Sequence, residues 1–434
     1  MERNFVFPLK MHVGAPSSPV VSEGDLVKRG QCLAEPNGLG AKIHSSVNGK
    51  VVKIDGERIE ILADARQSND YLPIKECKTI GEYAYEAGIV GAGGAGFPTH
   101  IKLQTPIPQG QIIVNCVECE PILNHNIRLL EEEPELVLKG IKYSMEATKA
   151  SGALVAVKKK NQKAIQAIRE ALGGFENIGI RELPDLYPMG EERAIINSIF
   201  KEWLEPNQLP IQAGYVVLNA ETLANLSRAV EERKPVIDKD ITLGGSLASG
   251  KESRIFLQTP VGTPVKTLLD QCGGVNGEYG ELIIGGPYTG SAQSLEEAIV
   301  TKTSGGAIIT IELPEFKGKL GLLVCACGAD ENRLRDLAQK MKSQVVAVTG
   351  CKNIVNLKGA NKCRTPGDCP GQAGAVLQLK QAGAERILIS NCSDCSNTVM
   401  NCAPKIGLGV YHHTDHVFRT VDYPLTRRLD KEDN

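Results

Sequence analysis

Cysteine is the residue type whose placement in this chain could do chemistry. Thirteen occur in 434 residues, and eight stand after residue 324: Cys325, Cys327, Cys351, Cys363, Cys369, Cys392, Cys395 and Cys402. In a reducing cytosol so many are odd as disulfides and fit metal ligands or redox thiols better. Two chemistries compete for them. One is thiol–disulfide exchange, with Cys392-Ser-Asp-Cys395 or Cys325-Ala-Cys327 as the working pair. The other is an iron–sulfur centre ligated by four thiolates from Cys325, Cys327, Cys351, Cys392 and Cys395, with Cys325, Cys351, Cys392 and Cys395 as one such set. Cys363, Cys369 and Cys402 could add ligands or resolving thiols, and spacing alone does not separate the two chemistries. Cys116-Val-Glu-Cys119 is a third group, but it lacks a second pair at zinc spacing, so packing with one incidental thiol is the favoured reading. His412-His-Thr-Asp-His416 would share a face only on a helix, and Val410-Tyr411 before it reads as strand; a surface turn is expected.

The elements that must position the cysteines follow from apolar runs. Residues 322–325, 345–351 and 387–392 are apolar strands that each end in cysteine, with helical stretches at 331–341 and 372–382 between them. Parallel β-α units of this kind put all carboxyl ends on one edge, so Cys325, Cys351 and Cys392 are expected at one rim. Residues 75–230 also alternate strand and helix: strands near 112–115 and 153–158, helices at 126–143 (broken by Pro134), 162–172 and 191–200, which argues an α/β unit. Residues 235–285 return to strands, with a helix over 265–271. Residues 5–63 read as short strands and turns, with Asn48-Gly49 expected as a hairpin turn and Lys50 as a surface lysine.

One stretch carries no cysteine and is as informative, Gly91-Ala-Gly-Gly-Ala-Gly-Phe-Pro-Thr-His-Ile-Lys-Leu103. Its glycines let backbone N–H groups approach a flat or phosphorylated ligand. It contains G-x-G-x-x-G, but a polar helix precedes it instead of a buried strand, and Pro98 follows too soon for the expected helix, so the dinucleotide-binding reading is rejected. This loop resembles the flavin loop shared by the NADH-binding subunit of respiratory complex I and by RnfC, the flavin-loop component of the Rnf electron-transport complex. Val114-Asn-Cys-Val-Glu-Cys-Glu-Pro121, Tyr187-Pro-Met-Gly-Glu-Glu192 and Asn219-Ala-Glu-Thr-Leu-Ala-Asn225 resemble further segments of these families, in the same order.

The resemblance implies FMN and NADH as cofactors. Gly91, Gly93, Gly94 and Lys102 would hold the flavin and its phosphate, and Asn115, Glu118 and the adjoining Glu120 the ring and ribityl region. Tyr187, Gly190, Glu191, Glu192 and Asn219 would complete the pocket, with Phe97 offered to the nicotinamide. His100 and Leu103 stand where complex I has Gly and Trp, a departure that suits the RnfC branch. It also implies a multidomain α/β fold: a barrel-sandwich hybrid over 1–70, a flavin/NADH-binding α/β domain over 75–232, a β-grasp (SLBB-like) domain with its connection over 235–313, and a Cys-rich redox α/β domain over 316–434. The last departs from RnfC, whose ferredoxin run C-x₂-C-x₂-C-x₃-C-P is absent here; its strand-Cys layout resembles the cysteine-rich delta subunit of methyl-viologen-reducing hydrogenases.

Bulk properties agree with such a protein. The chain is 42% hydrophobic and 23% charged with net charge −2, so nucleic acid is not an expected partner, and Lys158-Lys-Lys160 reads as a solvated helix end. No apolar run approaches the ~20 residues needed to span a bilayer and no signal core follows Met1. A cytoplasmic location is expected, with peripheral membrane association left open. The implied activity is that of an NADH-dependent oxidoreductase or electron carrier: NADH to flavin, to the tail cysteines, to a partner reductase. The missing ferredoxin run and the Cys-rich tail resemble the branch that serves D-proline reductase, which implies that enzyme as partner. Two rivals stand beside this: a flavoprotein reductase serving a cobalamin or quinone partner, and a non-catalytic scaffold with a vestigial pocket.

Overall fold

The computed structural model describes residues 4–94, 96–357 and 359–426. Short strands build the first unit: β1 (Asn4–Pro8), β2 (Ser18–Pro19), β3 (Leu26–Val27), β4 (Cys32–Glu35), β5 (Ile43–His44), β6 (Gly49–Ile54) and β7 (Arg58–Ala63). They form two antiparallel sheets, β1-β7-β6-β3 and β2-β4-β5, closed over Phe7, Leu33, Ile43, Val51, Ile59 and Ile61, all without exposed surface. Asn48-Gly49 is not the hairpin turn expected of it, because β5 pairs with β4 while β6 pairs with β7 and β3. The chain crosses there from one sheet to the other, and the Asn48 side-chain carbonyl accepts the Arg29 backbone N–H at 2.9 Å. Lys50 is exposed, as expected.

The middle unit comprises α1 (Ile80–Glu86), α2 (Thr99–Leu103), β8 (Gln111–Cys116), α3 (His125–Glu132), α4 (Pro134–Thr148), β9 (Gly152–Lys158), α5 (Gln162–Ala171), β10 (Ile178–Leu183), α6 (Glu192–Phe200), β11 (Tyr215–Asn219) and α7 (Ala220–Glu231). Its four strands are all parallel in the order β10-β9-β8-β11. Helices cover both faces, which is why β8 reads as the unbroken apolar run Ile112-Ile-Val114, fully buried. Helix α1 begins at a capping box between Thr79 and Glu82, so a helix and not a strand precedes the glycine loop. Pro98 does not delay the next helix, however. It stands at the N-cap of α2 with φ −59°, a start position where its missing N–H costs nothing.

A third unit holds β12 (Asp238–Gly245), β13 (Arg254–Pro260), α8 (Val265–Gln271), β14 (Leu282–Ile284), β15 (Ser291–Gln293) and β16 (Gly306–Ile309). These strands make one mixed sheet, β13-β12-β16-β14-β15, with only β12 and β16 parallel, and α8 buries Val265, Leu268 and Leu269 against it. The tail unit follows: β17 (Lys319–Val324), α9 (Glu331–Lys340), β18 (Gln344–Gly350), the hairpin β19 (Ile354–Leu357) and β20 (Ala360–Cys363), α10 (Ala373–Gln381), β21 (Arg386–Ile389), α11 (Ser393–Cys402), β22 (Gly409–His412) and α12 (Asp415–Thr420). Its sheet is parallel in the order β18-β17-β21-β22.

Buried charges fasten the units together. Arg29 meets Asp238 at 2.7 Å, and Lys239 on β12 meets Glu221 on α7 with both side chains almost wholly buried. Glu281, just before β14, takes Arg333 at 2.6 Å and Lys340 from α9, and His416 of α12 at 3.0 Å. Burial alone would raise the Glu281 carboxyl, but hydrogen bonds from Arg333 and His416, with the Arg333 charge, hold it well below the usual carboxylate range. Its stabilising contribution is therefore present above the ordinary carboxylate value of 4.5 and is lost as pH falls below it. Glu281→Gln leaves buried cations without their counter-charge, and a loss of about 3–5 kcal/mol is expected in urea unfolding at pH 7. A change below about 1 kcal/mol would mark the network as a surface-grade ion pair.

Candidate functional site

In the middle sheet the chain leaves β8 toward β9 on one side and returns to β11 on the other. Such a switch point opens a crevice at the strand carboxyl ends, where α/β sheets bind ligands. Asn115 and Asn219 are register partners at those two ends. Asn219 caps α7 by accepting the Glu221 N–H at 3.0 Å, and Asn115 donates to the Gly190 carbonyl at 2.9 Å. The glycine loop lies over them: Ala92 N–H donates to Thr222 Oγ1 at 3.0 Å, and a Cβ on Gly93 would come within 3.4 Å of the Asn219 amide. Gly94 has φ +101° and open space where a side chain would be, so this backbone must be glycine and its face is free. Gly93 and Gly94 also wall a cleft of about 1020 Å³ shared with Lys266, Thr301, Thr303 and Ser304.

Around the loop, Lys102 Nζ donates to Glu192 Oε1 at 3.0 Å and to the Val217 carbonyl at 2.9 Å, and lies 6.0 Å from the Phe97 ring centroid. Glu191 caps α6, accepting the N–H groups of Arg193 and Ala194 at 2.8 and 2.9 Å. Burial pushes the Glu118 carboxyl up to about 7 against a hydrogen bond from Asn126. Glu120 points away from the loop and takes Tyr288 N–H, Thr289 N–H and the Thr289 hydroxyl at 2.8, 2.9 and 2.6 Å.

The tail sheet has its own switch point, between β17 and β21. Cys325 and Cys392 follow these two strands and Cys351 follows β18, so the three are gathered at one rim as expected. More sulfurs join them. Cys327 contacts Cys325, Cys363 and Cys392; Cys395 contacts Cys351, Cys369 and Cys392; Cys325 contacts Cys351. All are free thiols. Contacts with three thiols each raise Cys327 and Cys395 far above the ordinary thiol value. Hydrogen bonding from Cys395, with Thr398 and the Gly371 N–H, brings Cys369 down to about 7. Gln372 donates its amide to Cys351, Cys395 and Cys369 at 3.1, 3.3 and 3.7 Å. A nest of sulfurs this close serves thiol–disulfide exchange and thiolate ligation of an iron–sulfur centre alike.

The two centres meet at Tyr187. Its ring stacks on Tyr288, centroids 3.5 Å apart and planes 6° from parallel. Its hydroxyl donates to the Cys327 carbonyl, its N–H donates to Ser393 Oγ and its carbonyl accepts the Ser393 N–H, both at 3.2 Å. Cys119 lies on the other flank, so close to Gly190 that a Cβ there would sit 2.7 Å from its sulfur. Cys116 is core filler with no exposed surface, as the packing reading has it.

Residues 1–67 match the RnfC barrel sandwich hybrid domain and residues 84–228 the Nuo51 FMN-binding domain. The C subunit of the Na⁺-translocating ferredoxin:NAD⁺ oxidoreductase complex of Acetobacterium woodii is 31% identical over 323 residues, 70% of this chain and 72% of that one. Its proton-translocating counterpart in Clostridium ljungdahlii is 35% identical over 325 residues, 69% of each chain. This chain belongs to the RnfC family. Cobalamin reductase PduS of Citrobacter freundii is also similar, 36% identical over 234 residues, 54% of this chain and 50% of that one. In this RnfC relative both matched domains end before β17, so the sulfur nest lies beyond them.

The residues fit the FMN of the matched domain. A free glycine face and an ammonium on Lys102 whose partner Glu192 is 43% exposed are donors suited to a phosphorylated ring ligand. Among the described residues no helix is long and apolar enough to cross a membrane.

Two expectations need correction, the first being Lys158-Lys-Lys160, which is no solvated helix end because Lys158 closes β9, is 3% exposed and pairs with Asp185 at 2.7 Å. The segment His412–His416 is no surface turn: all five residues are at most 3% exposed, with His412 ending β22 and His416 inside α12, bonded to Glu281. Strand and helix meet there at a buried corner, which period analysis of five residues does not reveal. Tyr187 spends its N–H, carbonyl and hydroxyl on the tail unit. Tyr288, Gln372 and Ser393 went unnoticed; Gln372 carried a usable signal, a buried amide following Cys369 by three residues at the start of a helix.

Lys102→Ala removes one charge-assisted contact, about 1.5–3 kcal/mol, and flavin retention is expected to fall about tenfold or more. Flavin released on denaturing the gel-filtered variant measures this; full occupancy would take Lys102 out of the site.

Proposed function

We propose that this protein carries electrons from NADH, through FMN, to the sulfur nest of its tail and on to a partner reductase. Bound FMN supplies the chemistry of accepting a hydride and releasing its electrons onward. In this reading Gly91, Gly93, Gly94 and Lys102 hold the flavin and phosphate, Asn115 and Asn219 face its ring from the two strand ends, and Phe97 meets the nicotinamide. Glu192 balances Lys102, Glu191 and Gly190 shape the floor, and Glu118, poised near 7, exchanges a proton at neutral pH. Glu120 fastens the middle unit to the third. Cys325, Cys327, Cys351, Cys392 and Cys395 take the electrons next. One observation carries the proposal: the segment from Tyr187 to Gly190 touches both centres, Asn115 at one end and Cys327 with Ser393 at the other.

The four units correspond in this reading to a barrel-sandwich hybrid over 1–70, a flavin domain over 75–232, a β-grasp domain over 235–313 and a redox domain over 316–434, working in the cytoplasm. D-proline reductase is the proposed acceptor, because the tail carries thiols where RnfC has ferredoxin repeats. A second acceptor, a cobalamin-dependent protein, is favoured by the likeness to cobalamin reductase PduS.

Cys392→Ser and Cys395→Ser are each expected to leave flavin bleaching by NADH intact while abolishing transfer to the acceptor, since serine keeps the volume but is a poor nucleophile and ligand. Stopped-flow bleaching beside coupled assays with D-proline reductase and with a cobalamin acceptor makes the comparison. Wild-type transfer by both variants sinks the tail as the route, and the assay that responds names the acceptor.

A further inference from the structure

We propose that Cys369 is the outlet of a thiol–disulfide relay, Cys327–Cys392–Cys395–Cys369, that delivers electrons to a disulfide on a partner protein. The proposal rests on the electron-carrier reading above and adds the exit, its chemistry and the class of acceptor.

Cys327, Cys392, Cys395 and Cys369 pack in one cluster, with Cys327 against Cys392, Cys392 against Cys395 and Cys395 against Cys369, and Gln372 Nε2 spans the last pair at 3.3 and 3.7 Å. The inner members are closed to any partner, with Cys392 2% and Cys395 3% exposed, and the side members Cys325, Cys351 and Cys363 are 2%, 4% and 7% exposed. Only the two ends are partly open. Cys327 is the inward end, packed with Tyr187 and accepting its hydroxyl at the backbone carbonyl. Cys369 is the outward end, on the loop between β20 and α10.

That loop is built to present a nucleophilic sulfur. Thr398 Oγ1 lies 3.1 Å from Cys369 Sγ and gives its proton to the Cys395 carbonyl at 2.9 Å, while Gly371 N–H donates to Cys369 Sγ at 3.3 Å and Gln372 Nε2 lies 3.7 Å from it. Donors of this kind favour the thiolate, the attacking species. The Cys369 backbone N–H is pinned to Asp394 Oδ2 at 2.9 Å, which fixes the loop beside α11 and keeps Cys369 within reach of Cys395.

Each step balances. The Cys369 thiolate attacks one sulfur of the partner disulfide; a mixed disulfide forms and the partner's other sulfur leaves as thiolate. Cys395 then attacks Cys369, forming the Cys395–Cys369 disulfide and releasing the partner as a dithiol. Attack by Cys392 on Cys395, then by Cys327 on Cys392, moves the disulfide inward to Cys327–Cys392 without net redox change. Two electrons and two protons return that pair to thiols, supplied from NADH through the flavin.

The test separates the outlet from the flavin. The full-length protein is reduced with a phosphine, freed of reductant and challenged with oxidised glutathione, with no NADH present. In the wild type, one disulfide within the relay (Cys369–Cys395, Cys392–Cys395 or Cys327–Cys392, which interconvert by exchange) and two equivalents of glutathione are expected. Cys395→Ser should instead accumulate a glutathione adduct on Cys369, located by peptide mass. Cys369→Ser should react at least about tenfold more slowly at the nest, while Cys402→Ser, at a partly exposed cysteine outside the relay, should match the wild type. An adduct on a different nest cysteine in Cys395→Ser, an undiminished rate in Cys369→Ser, or a nest that holds iron and ignores glutathione disulfide would each overturn the outlet. Such a failure with NADH bleaching intact leaves the flavin reading standing; lost bleaching with a normal trap removes the flavin reading alone.

Discussion

The arrangement depends on how firmly Tyr187 is held. Its backbone exchanges two hydrogen bonds with Ser393, the residue after Cys392, and its hydroxyl reaches the carbonyl of Cys327. Both cysteine loops are thereby tied to a single residue of the middle unit. Tyr288, held by Glu120 through its backbone N–H, covers the other face of the ring and brings the third unit into the same joint. A buried phenol without these partners would be costly, so docking of the tail and satisfaction of Tyr187 are one event. Three residues on, Gly190 accepts from Asn115 at the crevice of the middle sheet. The spacing between the two centres is therefore set by a few covalent bonds and not by domain drift.

Much of this was legible in the chain, and the reason is periodicity. Strands buried on both faces write continuous apolar runs, so β8, β9, β17 and β21 stood out, as did the apolar edge strand β18, the helices between them and the cysteine closing each tail strand. Helix α8 was placed at its observed bounds because Pro264 opens it. Relations between distant segments left no such trace. Nothing near Tyr187 announces Tyr288 or Ser393, since stacking and reciprocal hydrogen bonds depend on how whole units dock. Asn48-Gly49 misled for the same reason: local turn preference was overridden by the crossing between sheets. The residues His412–His416 looked hydrophilic and are buried, because Glu281 and the loop carbonyl of Asn391 supply partners from outside the local window. The short hairpin β19–β20 also escaped notice, and with it the route by which Cys363 and Cys369 join the nest.

Crowding decides how the sulfurs share charge. A buried thiolate is expensive, and several side by side would repel. Cys327 and Cys395 each touch three other thiols and are driven toward the protonated form, while Cys392, between them, is drawn down by hydrogen bonds from both. Gln372 gives its amide to Cys351, Cys395 and Cys369 together, in place of water as the donor to these sulfurs.

Separation of entry and exit completes the physical picture. The cleft beside Gly93 and Gly94 is walled by the first three units, and every lining residue precedes position 305. The Cys369 loop belongs wholly to the tail unit and contributes nothing to that wall. The cleft and the Cys369 loop therefore share no surface. The buried ion pairs between units then acquire a reason. Their desolvation makes them poor sources of net stability, but they penalise misalignment sharply, and alignment is what a sulfur chain with contact-range steps demands. Arg29–Asp238, Lys239–Glu221 and the Glu281 network each join a different pair of units. They hold the crevice, the tyrosine joint and the nest in one register.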